Sequence, residues 1–199
     1  MKSMPTLRTV GLLTVMLVVS VALNVGLALK VHAFMTVQEE QLARLQAMDL
    51  KAGVKAPPLS AKRVGDSSGA VEIIDYAGAR PTVLYVLSPA CGRCAKNESS
   101  IKKLIAEKGA EYRFIGISLA DEGVLEYQAK HGLGVALYSG VNEQTRRAYK
   151  MSGTPQTIVV STQGVVVASW SGAYLGKQKD AVEKFFEVEL PDIEPEKSS

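Results

Sequence analysis

Cysteine and histidine are scarce: the 199-residue sequence holds two of each. A structural zinc site normally takes four nitrogen or sulfur ligands. His32 stands beside a long apolar segment, so only His131 could join the cysteines. Three ligands is then the most the chain offers, and a closed zinc site is excluded. Charge of one sign is lacking too, with a formal net charge of only +3. Lysine and arginine are scattered and not interleaved with aromatics, which leaves nucleic-acid binding without support. No second long apolar run follows the first, so a multi-pass membrane protein is excluded as well.

What the chain does have is both cysteines in one short segment, Ser88-Pro89-Ala90-Cys91-Gly92-Arg93-Cys94, directly after the apolar run Thr82-Val83-Leu84-Tyr85-Val86-Leu87. A buried strand leading into C-x-x-C at a helix start is the arrangement of a dithiol–disulfide redox centre. Spacing of i, i+3 lets the sulfurs meet, with the first exposed and the second one turn inside. Unpaired N–H groups at the helix start favour thiolate over thiol, and Arg93 adds a cation between the cysteines. Cys91 is therefore read as the attacking thiol and Cys94 as the resolving thiol, modulated by Gly92 and Arg93. A purely structural disulfide is the bland alternative, but so short a loop removes little entropy from the unfolded chain.

The N-terminal region reads as a membrane segment. Val10 to Leu29 is an uncharged run whose polar members are Thr14, Ser20 and Asn24, flanked by Arg8 and Lys30. As a helix it spans about 30 Å, the thickness of a bilayer's hydrocarbon core. The expected organisation is a cytoplasmic tail over 1–9, a transmembrane anchor over 10–30 and a juxtamembrane stalk over 31–56. A folded domain over 57–190 and a disordered polar tail over 191–199 complete it. Cleavage after Val31-His32-Ala33 is the alternative to an anchor. Basic residues are nearly balanced across the span, and a short N-terminal tail of this kind stays cytoplasmic. That places the C-terminal domain outside the cell membrane, on the periplasmic face. In the stalk, Leu42, Leu45 and Met48 recur at helical spacing, and Gly53 with Pro57-Pro58 ends the helix.

The domain alternates strands and helices. Strands are expected at Val71 to Asp75, Thr82 to Leu87 and within Glu111 to Leu119. A hairpin follows, from Gln156 to Ser161 and Val165 to Trp170 around Thr162-Gln163-Gly164. Helices are expected from Gly92 to Lys108, stopped by Gly109 and burying Ile101, Leu104 and Ile105, and from an Asp121 cap to His131-Gly132. Two more run from an Asn142 cap to Lys150 and from Lys177 to Val188. Arg146, Arg147 and Lys150 read as a solvated helix face. The pattern makes an α/β protein with a mixed sheet. Gly153-Thr154-Pro155 stands before the apolar strand Thr157-Ile158-Val159-Val160. A cis Thr154–Pro155 bond there would turn the Thr154 backbone outward, toward an extended substrate near Cys91. An ordinary trans proline at a strand entrance is the alternative.

Together, the strand–Cys91-Gly92-Arg93-Cys94–helix unit and the later Gly153-Thr154-Pro155-Gln156-Thr157, followed by Gly164, resemble the thioredoxin superfamily over about residues 57 to 188. The N-terminal hairpin, the helix inserted after Asp121 and the membrane anchor are most similar to its TlpA/ResA branch. The resemblance implies a thioredoxin-like fold, a mixed central sheet flanked by helices, behind an N-terminal transmembrane helix. It also implies an extracytoplasmic, membrane-tethered thiol–disulfide oxidoreductase, commonly a reductant in cytochrome c maturation. Thr154 and Pro155 would form the substrate-docking loop. Partners would be protein thiols or disulfides and a membrane electron donor, with no cofactor and no metal.

The sequence departs from that pattern in its Gly-Arg dipeptide and at Ala90, where an aromatic residue is usual. Asn97 stands where an acid often lies, with Glu98 one step round the helix toward solvent, and Tyr85 replaces a buried strand acid found in some relatives. No proton acceptor for Cys94 is evident. Two other functions compete: a thiol peroxidase, suggested by Ser88 three residues before Cys91, and a copper carrier using Cys91, Cys94 and His131. His131, followed by Gly132, reads more simply as a cation at a helix C-terminus.

Overall fold

The structure is a computed structural model that describes residues 7–48 and 50–193. The chain divides into two compact units, Met1–Leu45 and Gln46–Ser199. Helix α1 (Leu7–Met48) is a single run of 42 residues that passes Lys30 without a break, so the expected anchor and the first part of the stalk are one helix. Its segment Gly11–Val37 is long and apolar enough to cross a membrane, with a mean hydropathy of 2.4. Two polar side chains inside that run turn back onto the helix: Asn24 Nδ2 donates to Ser20 O at 2.7 Å and Thr36 Oγ1 to Ala33 O at 2.9 Å. Such bonding lowers the cost of placing an amide or hydroxyl on an apolar surface. The face expected at Leu42, Leu45 and Met48 involves side chains outside the described residues, as does the tail beyond Ile193.

The second unit is built on a seven-stranded mixed sheet of order β2-β1-β5-β4-β3-β6-β7. Its strands are β1 (Leu59–Arg63), β2 (Val71–Ile74), β3 (Thr82–Leu87), β4 (Arg113–Ser118), β5 (Ala136–Ser139), β6 (Gln156–Val160) and β7 (Val166–Ser171). β3, β4 and β5 pair in parallel, while β6 pairs antiparallel with β3 and β7 with β6 on one side, and β1 antiparallel with β5 and β2 with β1 on the other. All six residues of β3 are buried, as expected of a strand covered on both faces. Leu84 and Val86 point to one core with Ile115, Ile117, Ile158 and Tyr149. Val83, Tyr85 and Leu87 point to the other, which holds Cys94, Ile101, Leu104, Tyr127, Tyr174 and Phe186. Full burial of each such aliphatic side chain contributes roughly 1.5–3 kcal/mol. Ahead of Pro57, the chain is already bonded to β7 and the turn before it: Gly53 N–H donates to Val166 O and Ala56 N–H to Gly164 O, both at 2.8 Å.

Several expectations are corrected. The helix after the cysteines is two, α2 (Gly92–Lys96) and α3 (Glu98–Lys108), joined at Asn97. Gly109 does stop α3, but in a right-handed conformation (φ −65°). Glycine is needed there because a Cβ would lie 2.6 Å from Ile105 O. Asp121 caps no helix: α4 (Val124–His131) starts behind left-handed Gly123, and Asp121 Oδ1 accepts from Gly140 N–H at 2.8 Å. Asn142 does cap α5 (Glu143–Ala148), accepting from Thr145 N–H at 2.8 Å. Arg146 is no solvated side chain, since it donates to Val141 O at 2.9 Å and Leu119 O at 2.7 Å. The last helix, α6 (Lys177–Phe186), buries Val182 and Phe186. β1 and β5 are short, and β1 carries Lys62 and Arg63, so neither stands out as an apolar run.

Candidate active site

β3 ends at Leu87 and the chain turns immediately, Cys91 N–H donating to Ser88 O at 3.0 Å. Cys91 is the N-cap of α2, with extended backbone (φ −87°, ψ 102°). It is half-buried, whereas Cys94, one turn in, is fully buried. The two are joined as a disulfide with Cα atoms 5.2 Å apart. Gly92 and Arg93 between them are exposed. The Cys94 N–H points at the Cys91 sulfur from 3.1 Å. A backbone donor aimed at that atom stabilises a thiolate there, which is how a helix start lowers a cysteine's pKa.

The second part of the site comes from far along the chain. The Thr154–Pro155 bond is cis, and Thr154 O lies 3.4 Å from the Cys91 sulfur. β6 begins directly after Pro155 and pairs with β3, with Gln156 opposite Val86. The same strand that leads into the cysteines therefore fixes the loop beside them. Pro155 O is taken by Gly172 N–H at 2.7 Å. All four sequence-predicted loci, Cys91, Cys94, Gly92-Arg93 and Thr154-Pro155, belong to one end of the sheet.

Behind Cys94 lies a polar layer that the sequence motifs do not announce. Asn97 is fully buried, and its Oδ1 accepts from Tyr174 N–H at 2.9 Å. Tyr174 shares a hydroxyl hydrogen bond with Thr157, which sits directly opposite Tyr85 in the β3–β6 register. Burial, with Tyr174 nearby, pushes the Tyr85 phenol well above its ordinary range. Asn97 is near enough to act on that hydroxyl electrostatically, although no hydrogen bond of normal geometry joins them. Among the described residues, the buried Tyr85 Oη, Asn97 Nδ2, Ser100 Oγ and Tyr127 Oη all lack a hydrogen-bond partner.

At the edge of this layer stands Glu98, which does not face open solvent as expected. Its side chain is 22 % exposed, bonded by Lys102 Nζ at 2.6 Å and paired with His131 Nδ1. Burial opposes its ionisation, but hydrogen bonds from Lys102 and His131 outweigh it and hold the carboxyl below its usual range. His131 also stacks on Tyr127, ring centroids 4.3 Å apart. The third ligand a copper site would need is thus committed to Glu98. The only advance signals of this layer were Tyr85 and Asn97 in place of acids; nothing local links Glu98 to a histidine 33 residues away.

Comparison with known proteins matches residues 52–169 to the model of the AhpC/TSA family. No curated protein matches the chain. Among solved structures, a candidate thiol:disulfide interchange protein DsbE from Chlorobium tepidum is 21 % identical. It aligns over 68 % of this chain and 95 % of its own, with a TM-score of 0.58. The thioredoxin domain of a thiol-disulfide oxidoreductase from Bacteroides vulgatus is 19 % identical over 69 % of this chain and 99 % of its own, at a TM-score of 0.54. A peroxiredoxin-like protein from Aquifex aeolicus is 13 % identical over 70 % of this chain and 87 % of its own, at 0.53. These structures share the expected thioredoxin-like fold, and the chain belongs to the AhpC/TSA family.

Proposed function

We propose that the protein is a membrane-anchored, extracytoplasmic thiol–disulfide oxidoreductase that reduces protein disulfides through Cys91 and Cys94. One observation carries the reading: the half-buried Cys91 sulfur receives the Cys94 N–H and lies 3.4 Å from Thr154 O, with Cys94 buried behind it. Cys91 thiolate attacks a substrate disulfide, forming a mixed disulfide and expelling one substrate thiolate. Cys94 then attacks the Cys91 sulfur, the second substrate thiolate leaves, and the Cys91–Cys94 disulfide remains. Two electrons pass from the cysteine pair to the substrate, and a membrane electron donor returns them. Thr154 and Pro155 form the edge against which an extended substrate segment docks.

The TlpA/ResA resemblance supports the reducing direction and a place in cytochrome c maturation, and the apolar stretch of α1 supports a membrane anchor. Arg93 works against the reducing direction, because stabilising the thiolate stabilises the reduced form. The deciding measurement is the reduction potential of the full-length protein in detergent, equilibrated against glutathione or dithiothreitol. A value near or below about −250 mV is expected of a reductant, whereas one near about −120 mV marks an oxidant and reverses the direction. The AhpC/TSA match favours a second reading, thiol-dependent peroxide reduction. Peroxide consumption coupled to Cys91 oxidation would establish it.

A further inference from the structure

The cations that precede the docking loop take no part in the thiol chemistry, yet they are gathered in one place. Arg146, Arg147 and Lys150 line an open depression of about 410 Å³ together with Glu143, Met151 and Ser152. We propose that this depression selects substrates, by taking carboxylates that lie close in sequence to the substrate cysteine that Cys91 attacks. This rests on the oxidoreductase reading and names its substrate class, protein disulfides set in an acidic segment. Arg147 and Lys150 are the specificity-determining residues.

Two observations place the depression beside the reacting sulfur. Ser152, which lines it, stands two residues before Thr154, and two residues of chain span at most about 7 Å. Thr154 O in turn lies 3.4 Å from the Cys91 sulfur. Arg146 supplies the second observation, because it donates to Leu119 O at 2.7 Å and to Val141 O at 2.9 Å. Those carbonyls follow the C-terminal ends of β4 and β5, which run parallel to β3, the strand that leads into Cys91. Depression and cysteines therefore share the end of the sheet at which open α/β folds bind their ligands.

Its charge is uneven. Three cations line it against one carboxylate, Glu143, whose partner is Arg147 at 3.0 Å. The side chains of that pair are 79 % and 66 % exposed, so water screens it and an incoming carboxylate replaces Glu143 at little cost. Arg146 gives two N–H groups to carbonyls, which fix the guanidinium without neutralising it. Lys150 is exposed and has a left-handed backbone (φ 51°), which a residue with a Cβ adopts only when its surroundings impose it. Met151 N–H to Arg146 O and Ser152 N–H to Lys150 O, both at 2.8 Å, close that turn. The chain thereby doubles back from α5 into the docking loop with Arg147 and Lys150 on one hollow.

A lipid surface would also supply anions, but the hollow continues the edge formed by Thr154. A substrate extended along that edge advances about 3.3 Å per residue, so side chains about two to four residues from the attacked cysteine reach Arg147 and Lys150. Arg93 adds a further exposed cation next to Cys91. Charge arranged in this way speeds encounter and sets partner choice more than it adds affinity.

The test uses reduced full-length protein in neutral detergent and synthetic peptides whose single cysteine is activated as a 2-thiopyridyl disulfide. Cys91 thiolate attacks the peptide sulfur, and pyridine-2-thione leaves with the electron pair and a proton from water. Cys94 then releases the peptide thiol as the Cys91–Cys94 disulfide forms. The peptides differ only in flanking Asp, Ser or Lys, and each rate is divided by that of the same peptide with dithiothreitol. At low salt the Asp peptide is expected to react about fivefold faster than the Ser peptide and the Lys peptide slower, with the spread collapsing at about 0.5 M salt. Arg147→Gln with Lys150→Gln should bring the Asp-to-Ser ratio to within about twofold, and Arg147→Glu with Lys150→Glu should favour the Lys peptide. Equal slowing of all peptides in these variants, with the ratios kept, marks a merely structural role and overturns the proposal, as does a wild-type ratio near one. Slowing of every peptide by phosphatidylglycerol in the micelle, without an acidic preference, assigns the hollow to a lipid surface and overturns it too. Absence of thione release from any peptide in the wild-type protein overturns the oxidoreductase reading instead.

Discussion

The sulfur of Cys91 lies 3.4 Å from the carbonyl oxygen of Thr154, 63 residues further along the chain. That contact turns two sequence motifs into one site. It exists because β6, which starts immediately after Pro155, pairs antiparallel with β3, which ends four residues before Cys91. The half-buried sulfur and the Thr154 backbone are thereby neighbours on one end of the sheet.

The unequal burial of the two cysteines predicts unequal mutant behaviour. Cys91→Ser is expected to abolish disulfide exchange. Cys94→Ser should keep the first attack and accumulate mixed disulfides, seen as higher-mass species on non-reducing gels that dithiothreitol removes. Failure of Cys94→Ser to accumulate any would reverse or cancel the assignment of roles.

Arg93 is exposed, so its effect on the Cys91 thiolate is screened by water. Arg93→Gln is expected to raise the Cys91 thiol pKa by less than about one unit, read from the pH dependence of iodoacetamide alkylation. The couple should become more reducing by at most about 30 mV. An unchanged alkylation profile would assign the stabilisation to the Cys94 N–H alone.

Asn97 holds the Tyr174 backbone from inside the core. Asn97→Ala leaves that N–H unpaired and is expected to cost about 1–3 kcal/mol in urea unfolding. Asn97→Asp retains an acceptor, and the urea midpoint should fall less at pH 8 than for the alanine variant. Equal losses in both would show that packing at this position matters more than the hydrogen bond.

Glu98 ties folding to acid pH. Burial disfavours its charge, but the hydrogen bonds from Lys102 and His131 prevail, and its carboxyl titrates below the ordinary value in the folded protein. A carboxyl depressed on folding contributes stability that is present above its unfolded pKa of about 4.3 and is lost as pH falls through the folded value. Glu98→Gln should therefore flatten the fall in stability below about pH 4.3, measured by urea midpoints between pH 3 and 6. A slope identical to wild type would show that the pairing does not persist in solution.

Much of this protein is determined by sequence alone. The buried run Thr82 to Leu87 specifies a central strand because a short, β-branched- and aromatic-rich run without alternation leaves no polar face for water. C-x-x-C directly after it places two sulfurs on one turn of a helix, and the Gly11–Val37 stretch is apolar over the length a bilayer requires. These features rest on local periodicity. What the tertiary structure decided are contacts between residues distant in sequence. β1 and β5 become strands only because neighbours supply their hydrogen bonds, and Asn97 divides a helix because its side chain serves Tyr174. Asp121 serves Gly140 where local rules would make it a cap. Glu98, by its spacing a surface acid, meets His131 because α4 packs against the start of α3. No periodicity encodes such pairings, since they depend on which elements the sheet brings together.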